Sequence, residues 1–410
     1  MTQTANINIQ RLIERIKALG QCGALAGGGA ARIALTEQDK QGRDQVVSWM
    51  KELGLKISVD QLGNVLAVRE GQQPGKPVLV GSHIDTVATG GLYDGNLGVL
   101  AGLEVVQTLN EAGISTRRPI AIGFFTNEEG VRFTPDMMGS MVHQGHIELE
   151  SVLNTRGTDG TILREELERI GYNGSEPCGS MRAHAFIELH VEQGPVLEQE
   201  GFTIGAVEGV QGISWTEITV SGVSNHAGTT PMAMRHDAGY AAMAIATFAR
   251  ALAKEMGGYQ VATVGCIEMK PNLVNVIPNS VKMTVDLRNT ENDKLQEAES
   301  RLQQFIEEIA EQEGVTIQTR QLVRFDPTPF DERLISLVEM EADRQGYRVK
   351  RLPSGAGHDA QAFAPNCPTA MIFVPSVKGL SHNIEEYTSP DDIEAGANVL
   401  LNVVRKLAGE

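Results

Sequence analysis

Between Val78 and Gly95 the chain reads Val-Leu-Val-Gly-Ser-His-Ile-Asp-Thr-Val, then a short turn of small residues, then Gly-Gly-Leu-Tyr-Asp-Gly. Three apolar residues ahead of Gly81 and Ser82 predict the end of a strand buried on both faces, so that His83 and Asp85 emerge where strand gives way to loop. Strand side chains alternate, which places His83 and Asp85 on one side. The arrangement suits a metal-binding imidazole whose second ring nitrogen is held by a carboxylate or another nearby acceptor. Asp94 returns eleven residues after His83, in a loop whose glycines allow close approach of backbone to backbone.

Two further segments repeat the pattern of a buried strand running into charge. Ile120 to Phe125 is continuously apolar and leads directly into Thr126-Asn127-Glu128-Glu129-Gly130. Glu-Glu pairs are ordinarily solvated, but adjacent carboxylates at the end of a buried strand need a cation or a raised pKa. Ala185 to Pro195 alternates as a strand, with Glu188, His190 and Glu192 on one side. Later in the chain, Ser354-Gly355-Ala356-Gly357-His358-Asp359 and Ser381-His382-Asn383 read as loops, the second after an apolar strand at Pro368 to Val374.

Helical periodicity covers Asn8–Leu19, Glu37–Leu53, Leu97–Ala112, Pro329–Gly346 and Asp391–Leu407, and Leu149–Gly174 reads as polar and helical. Ala24–Ala31 is a Gly/Ala-rich loop that either lies near a site or simply connects. Helices interleaved with apolar strands predict an α/β fold with a mixed sheet and helices on both faces. At 410 residues the chain exceeds one core, so two domains are expected.

The second domain interrupts the first. From about Gly212 the order is a strand at Ser214–Val220, a long Ala-rich helix at Asp237–Met256, strands at Val261–Met269 and Ser280–Arg288, a helix at Asn292–Glu313 and a strand at Thr316–Leu322. That order predicts a ferredoxin-like α+β insert. The expected boundaries are 1–212 with 328–410 for the catalytic domain and 213–327 for the insert. The small residues of the Ala-rich helix mark it as the expected surface of a homodimer.

The candidate ligands at strand ends are His83, Asp94, Glu129, His190 and His382, with Asp85 and Glu128 beside them. Nitrogen and oxygen donors without thiolate suit Zn²⁺, Mn²⁺, Co²⁺ or Ni²⁺ rather than Ca²⁺. Five are too many for a single catalytic zinc with an open position, and suit two divalent ions bridged by one carboxylate. A net charge of −17 argues against nucleic acid or an anionic membrane as partner. The four cysteines form no Cys-x-x-Cys pair, which predicts a reducing cytoplasm. The polar stretch Met1–Gln10, and the lack of any apolar run approaching about eighteen residues, predict neither export signal nor membrane span.

Six pieces in register resemble the M20 metallopeptidase clan: Gly-Ser-His-Ile-Asp-Thr-Val, Gly-Gly-x-x-Asp-Gly, Asn-Glu-Glu-Gly, Leu-His-Val-Glu-Gln-Gly-Pro, Asn-His-Ala-Gly-Thr-Thr-Pro-Met and Leu-Ser-His-Asn. More narrowly they are similar to its hydantoinase/carbamoylase branch of N-carbamoyl-L-amino acid amidohydrolases, allantoate amidohydrolases and β-ureidopropionases. Peptidase members typically carry a carboxylate where His190 stands, so His190 points to the carbamoylase branch.

The resemblance implies that Asp94 bridges two metal ions, with His83 and His190 completing one site and Glu129 and His382 the other. It implies Glu128 as general base, moving a proton from a metal-bridging water to the leaving nitrogen, and Asp85 as the group that orients His83. The reaction implied is hydrolysis of the carbamoyl (ureido) group of an N-carbamoyl-L-amino acid to amino acid, CO₂ and NH₃. Arg288 would grip the substrate carboxylate, and His226, Asn275, Gln193 and Gly357 would also meet the ligand, His226 at the oxyanion. Closure of the insert as a lid, on hinges near Gly212 and Pro327–Pro329, would assemble the site. Read without the resemblance, Asn275 is a turn residue ahead of Pro278 and Arg288 a surface ion-pair partner. An M20 peptidase or aminoacylase, and a non-catalytic binding protein on the same fold, remain as rival readings.

Overall fold

The computed structural model describes residues 5–409, so the first four residues of the polar N-terminal stretch and Glu410 lie outside the described residues. Two compact units are present: one ends at Gly209 and resumes at Pro329, and the other is Val210–Thr328.

The first unit is built on a mixed sheet whose central strands run in the order Ile120–Phe125, Val78–His83, Ala185–Val191, Thr369–Val374. These four are mutually parallel. Antiparallel strands Val65–Arg69 and Ile204–Val210 flank them. The four central strands are buried along their whole length, as near-continuous apolar runs require.

Helices cover both faces. Asn96–Glu111 is almost entirely buried because it is sandwiched between the sheet and the helices Ile9–Gly20 and Pro390–Ala408. Asp359–Phe363 and Met138–Gln144 lie on the other face, where Phe363 stacks on Phe186 with ring centroids 4.1 Å apart. Both of these short helices escape sequence periodicity because they complete fewer than two turns each. The polar segment after Leu149 divides into Leu149–Leu153 and Leu163–Ile170, separated by a turn at Asp159-Gly160.

Parallel strands deliver all their C-terminal ends to one edge of the sheet. His83 pairs in register with Phe125, and His190 with Phe373. The segments that follow the four strands therefore converge, which is where open α/β sheets place their ligands.

The second unit is a five-stranded antiparallel sheet in the order Thr316–Phe325, Gly212–Ser221, Ser280–Asn289, Val261–Thr263, with Ile267–Lys270 also on Ser280–Asn289. This is the strand order of a ferredoxin-like unit. The expected single strand over Val261–Met269 is broken at Gly265-Cys266, where the Cys266 carbonyl and N–H both turn to Thr284. The helices Ala238–Met256 and Asn292–Glu313 pack together, with Phe248 stacked on Phe305 at 4.2 Å. Of the small residues of the first helix, Ala238, Ala241, Ala242 and Ala249 are buried in this unit's own core, while Ala251 is exposed. Among the described residues no helix is long and apolar enough to cross a membrane.

Candidate metal centre

The loop after the His83 strand is held from below. The guanidinium of Arg32, fully buried, donates to the Ile84 carbonyl at 2.7 Å and to Asn96 Oδ1 at 2.7 Å. The Gly/Ala-rich segment packs beneath this loop through a bridge between Ala30 and Gly90. It is thus part of the site's support.

His83 and His190 are both buried, and each rests its Nδ1 on a backbone carbonyl: Asp85 O at 2.9 Å and Val191 O at 2.8 Å. A carbonyl accepts only, so each Nδ1 carries hydrogen and each Nε2 is the nitrogen available to coordinate a cation. Both Nε2 atoms face Asp94 Oδ1, at 3.5 Å from His83 and 3.2 Å from His190. On the other oxygen, Asp94 Oδ2 lies 3.3 Å from His382 Nε2, which is 3.2 Å from Glu129 Oε2. Each oxygen of Asp94 thus serves its own group of donors.

Asp85 meets His83 as expected, but through its backbone. Its carbonyl, not its carboxylate, holds His83; the carboxylate is 4.0 Å from the ring. Its two oxygens instead accept the N–H groups of Glu128 and Glu129, each at 3.2 Å, so the carboxylate anchors the Glu-Glu loop. Glu128 Oε2 then lies 3.4 Å from His83 Nε2.

Gln193 donates from Nε2 to Asp94 Oδ2 at 2.9 Å, while its buried Oε1 has no hydrogen-bond partner. A cavity of about 130 Å³ is lined by Asp94, Glu128, Glu129, Gln193, Gly357 and His382, with Asp136, Ala356 and His358. A larger groove of about 460 Å³ beside Leu334, Leu337, Met340 and Leu407 is mainly apolar, and the charged groups converge in the small one.

Asn127, Gln193 and His382 all adopt positive φ, at 58°, 59° and 53°. Such backbone is costly for residues other than glycine and gathers where a side chain must be aimed. Asn127 and Gln193 stand two residues beyond central strands, and His382 follows the turn after the Thr369–Val374 strand.

The electrostatics describe a pocket that demands positive charge. Burial pushes the Asp94 carboxyl up, but hydrogen bonds from His190, His382 and His83 more than offset it and hold it well below the usual range. Hydrogen bonds to Asp94 and Glu129 push His382 up to about 10. Burial works against charge on His83, yet Glu128, Asp94 and Asp85 raise it well above its ordinary value. Burial raises Glu128 well above the carboxylate range, with His83 opposing, and brings Asp85 up to about 6. In the metal-free chain, protons on imidazoles supply the charge that cations would supply.

The donor set fits divalent ions. His83, Asp94 and His190 form one group and Asp94, Glu129 and His382 another, the ligand atoms within each lying within 4.8 Å of one another. Glu188, His190 and His358 also meet that spacing. There, however, Glu188 is committed to the Ser82 hydroxyl and the Ala360 N–H, and His358 Nε2 to Ser354 Oγ. Protein hydrogen bonds already satisfy that third group.

His226, Asn275 and Arg288 belong to the second unit. The His226 loop is zipped to the Asn275 segment by Ala227 N–H to Asn275 O at 3.0 Å and Ile277 N–H to Asn225 O at 2.9 Å. His226 Nδ1 accepts the N–H of Gly228 at 3.0 Å and of Thr229 at 3.2 Å. A neutral ring so placed carries its hydrogen on Nε2 and is exposed as a donor. Arg288 pairs with Asp286 on the same strand face, Nη2 to Oδ2 at 2.9 Å.

Sequence comparison agrees with the geometry. Residues 79–406 match the peptidase family M20/M25/M40. The chain is 40% identical to an N-carbamoyl-L-amino-acid amidohydrolase of Rhizobium meliloti, over 99% of this chain and 98% of that protein. It is 34% identical to an allantoate amidohydrolase of Escherichia coli (strain K12), over 97% and 98%. Among solved structures, a hydantoinase/carbamoylase family amidase from Burkholderia multivorans superposes with a TM-score of 0.97 at 42% identity, each chain covered completely. The chain belongs to the M20/M25/M40 peptidase family, in its hydantoinase/carbamoylase branch.

Proposed function

We propose that this chain is a divalent-metal-dependent amidohydrolase that cleaves the carbamoyl C–N bond of N-carbamoyl-L-amino acids. The observation that carries the reading is the pair of donor groups sharing Asp94, with Glu128 beside them, in a chain similar over its full length to an N-carbamoyl-L-amino-acid amidohydrolase. His83 and His190 would hold one ion with Asp94, and Glu129 and His382 a second. Zn²⁺, Mn²⁺, Co²⁺ and Ni²⁺ all suit these donors. The ions would acidify water and polarise the ureido carbonyl.

The remaining steps belong to side chains. Glu128 takes the proton of the attacking water and returns it to the leaving nitrogen. One water is consumed: hydrolysis breaks one C–N bond of the ureido carbon, the carbamic acid so formed breaks the other as it decomposes, and the products are amino acid, CO₂ and NH₃. Gln193, held on Asp94 by its amide nitrogen, presents its unpartnered Oε1 to an N–H of the ureido group beside the Gly357 backbone. The roles of Asn275 and of Arg288 at the substrate carboxylate are supported by resemblance, and that of His226 also by its outward Nε2–H.

A second reading, allantoate hydrolysis by the same steps, is favoured by the similarity to the Escherichia coli allantoate amidohydrolase. Ammonia release from N-carbamoyl-L-amino acids, N-carbamoyl-β-alanine and allantoate, with the metal-loaded protein, separates the two. Turnover of carbamoyl-L-amino acids is expected. Turnover of allantoate alone moves the substrate and keeps the mechanism, while silence across the panel in a metal-loaded protein rejects both.

A homodimer formed through the second unit is part of the proposal. Its supporting feature is apolar exposure at Tyr240, Met243, Tyr259, Val261 and Ile267, along a helix face and a sheet edge. Light scattering across a concentration series tests it. All four cysteines are free, which supports a reducing compartment such as the cytoplasm.

A further inference from the structure

Glu386 sits four residues beyond His382, is 5% exposed, and belongs to none of the donor groups. Its Oε1 accepts two consecutive backbone N–H groups, Tyr93 at 3.0 Å and Asp94 at 3.1 Å. Ser381 Oγ lies 3.2 Å from both Glu386 Oε2 and Asp94 Oδ2. The Glu386 N–H returns to the Asn383 carbonyl at 3.0 Å, closing the turn that immediately follows His382. Just beyond it, Val377 N–H bonds Tyr387 O at 2.9 Å and the Thr388 hydroxyl bonds Pro375 O at 2.9 Å, fixing the turn to the end of the Thr369–Val374 strand.

A second, independent observation concerns Gly91. A Cβ built there would overlap the Glu386 carboxylate and its Cβ. The loop leaves a side-chain-sized space at Gly91, and Glu386 fills it.

We propose that Glu386 is the positioning residue of the metal centre: it locks the Gly90–Asp94 loop to the Ser381–Glu386 turn, fixing Asp94 and His382 relative to each other. Removing it leaves the buried Asp94 N–H and the part-buried Tyr93 N–H without an acceptor and frees the loop that aims the shared carboxylate. Gln would preserve the lock. Its Oε1 still accepts both N–H groups, and its amide can donate to Ser381 Oγ, leaving the hydroxyl hydrogen for Asp94 Oδ2.

The inference rests on the metal-site reading above, and its test does not involve substrate. Chelator competition with Zn²⁺ gives the affinity of the full chain, and the visible spectrum of the Co²⁺ form reports ligand geometry. Glu386→Ala is expected to bind Zn²⁺ roughly 10–100-fold more weakly, with an altered Co²⁺ spectrum, while Glu386→Gln stays within about threefold of wild type. Should the alanine variant fail to fold, Ser381→Ala carries the same test, with an expected loss of about tenfold.

Wild-type affinity in Glu386→Ala, or in Ser381→Ala where that replaces it, overturns the inference, as does a Gln variant as weak as the alanine one. Wild-type protein that takes up no divalent ion overturns the metal reading as well. Ion uptake with a silent substrate panel overturns only the substrate.

Discussion

Glu128 Oε2 stands 3.4 Å from Nε2 of His83, the nitrogen that faces Asp94, so the carboxyl borders the first donor group without belonging to either. A side chain placed there can exchange a proton with water in the cavity while the donors hold the ions. Replacing it with Gln removes the basic site but keeps shape and hydrogen bonding. Glu128→Gln is expected to lower kcat by about 10²–10⁴-fold. Metal content by elemental analysis should match wild type, and a parallel loss of bound metal would assign Glu128 to the ligands instead.

The three imidazoles predict how metal binding depends on pH. In the metal-free chain His382 keeps its proton up to about 10, and His83 and His190 are also raised. A cation must displace those protons, so loading at pH 7 should release at least about one proton per ion, and affinity should fall as pH falls. An indicator dye in weak buffer measures the release directly. For the metal-free fold the sign is that of a raised histidine. Stabilisation by the contacts of His382 with Asp94 and Glu129 is full below its unfolded pKa of about 6.5 and fades as pH rises through about 10.

Most of this centre could be read from the sequence because it is built from strand ends. A buried strand announces itself by composition, and His83, Glu129 and His190 each lie at or just past one. Arg32 and Glu386 could not be found that way. They act from loops and turns, through contacts with residues 52 and 292 positions away, for which no local period exists. The Ala-rich helix shows a related limit. Its small residues signal close packing, but periodicity does not say against which surface, and Ala238, Ala241, Ala242 and Ala249 lie in the unit's own core. Asp85 shows the limit of alternation, which places a residue on a side without choosing between its carbonyl and its carboxylate.

Gly95 provides a test of the loop that joins the two histidines. Its φ is +66°, its backbone nitrogen lies 3.2 Å from His190 Nε2, and a Cβ added there would overlap the His83 imidazole. With ψ at −47° the residue lies outside the left-handed helical region, so Gly95→Ala should cost on the order of 1–3 kcal/mol from backbone conformation alone. It should also displace His83 and so weaken metal uptake. Urea unfolding of the metal-free protein reads the first effect and chelator competition the second. A variant that is destabilised yet binds metal normally would show that the His83 ring can yield without leaving its place.

His226 gives the sharpest test of the second unit's part in the reaction. Its Nδ1 is occupied by the N–H groups of Gly228 and Thr229, so the neutral ring offers a hydrogen on Nε2, the form needed to stabilise an oxyanion. A donor that engages charge only as it develops contributes to kcat more than to KM. His226→Ala is therefore expected to lower kcat by about 10²–10³-fold with a much smaller change in KM. Arg288→Ala provides the contrast, because the carboxylate grip proposed for it would be made in ground state and transition state alike and its loss should appear chiefly in KM. Steady-state kinetics on one N-carbamoyl-L-amino acid distinguish the two patterns. If His226→Ala instead raises KM at constant kcat, the imidazole binds substrate and the oxyanion is stabilised elsewhere.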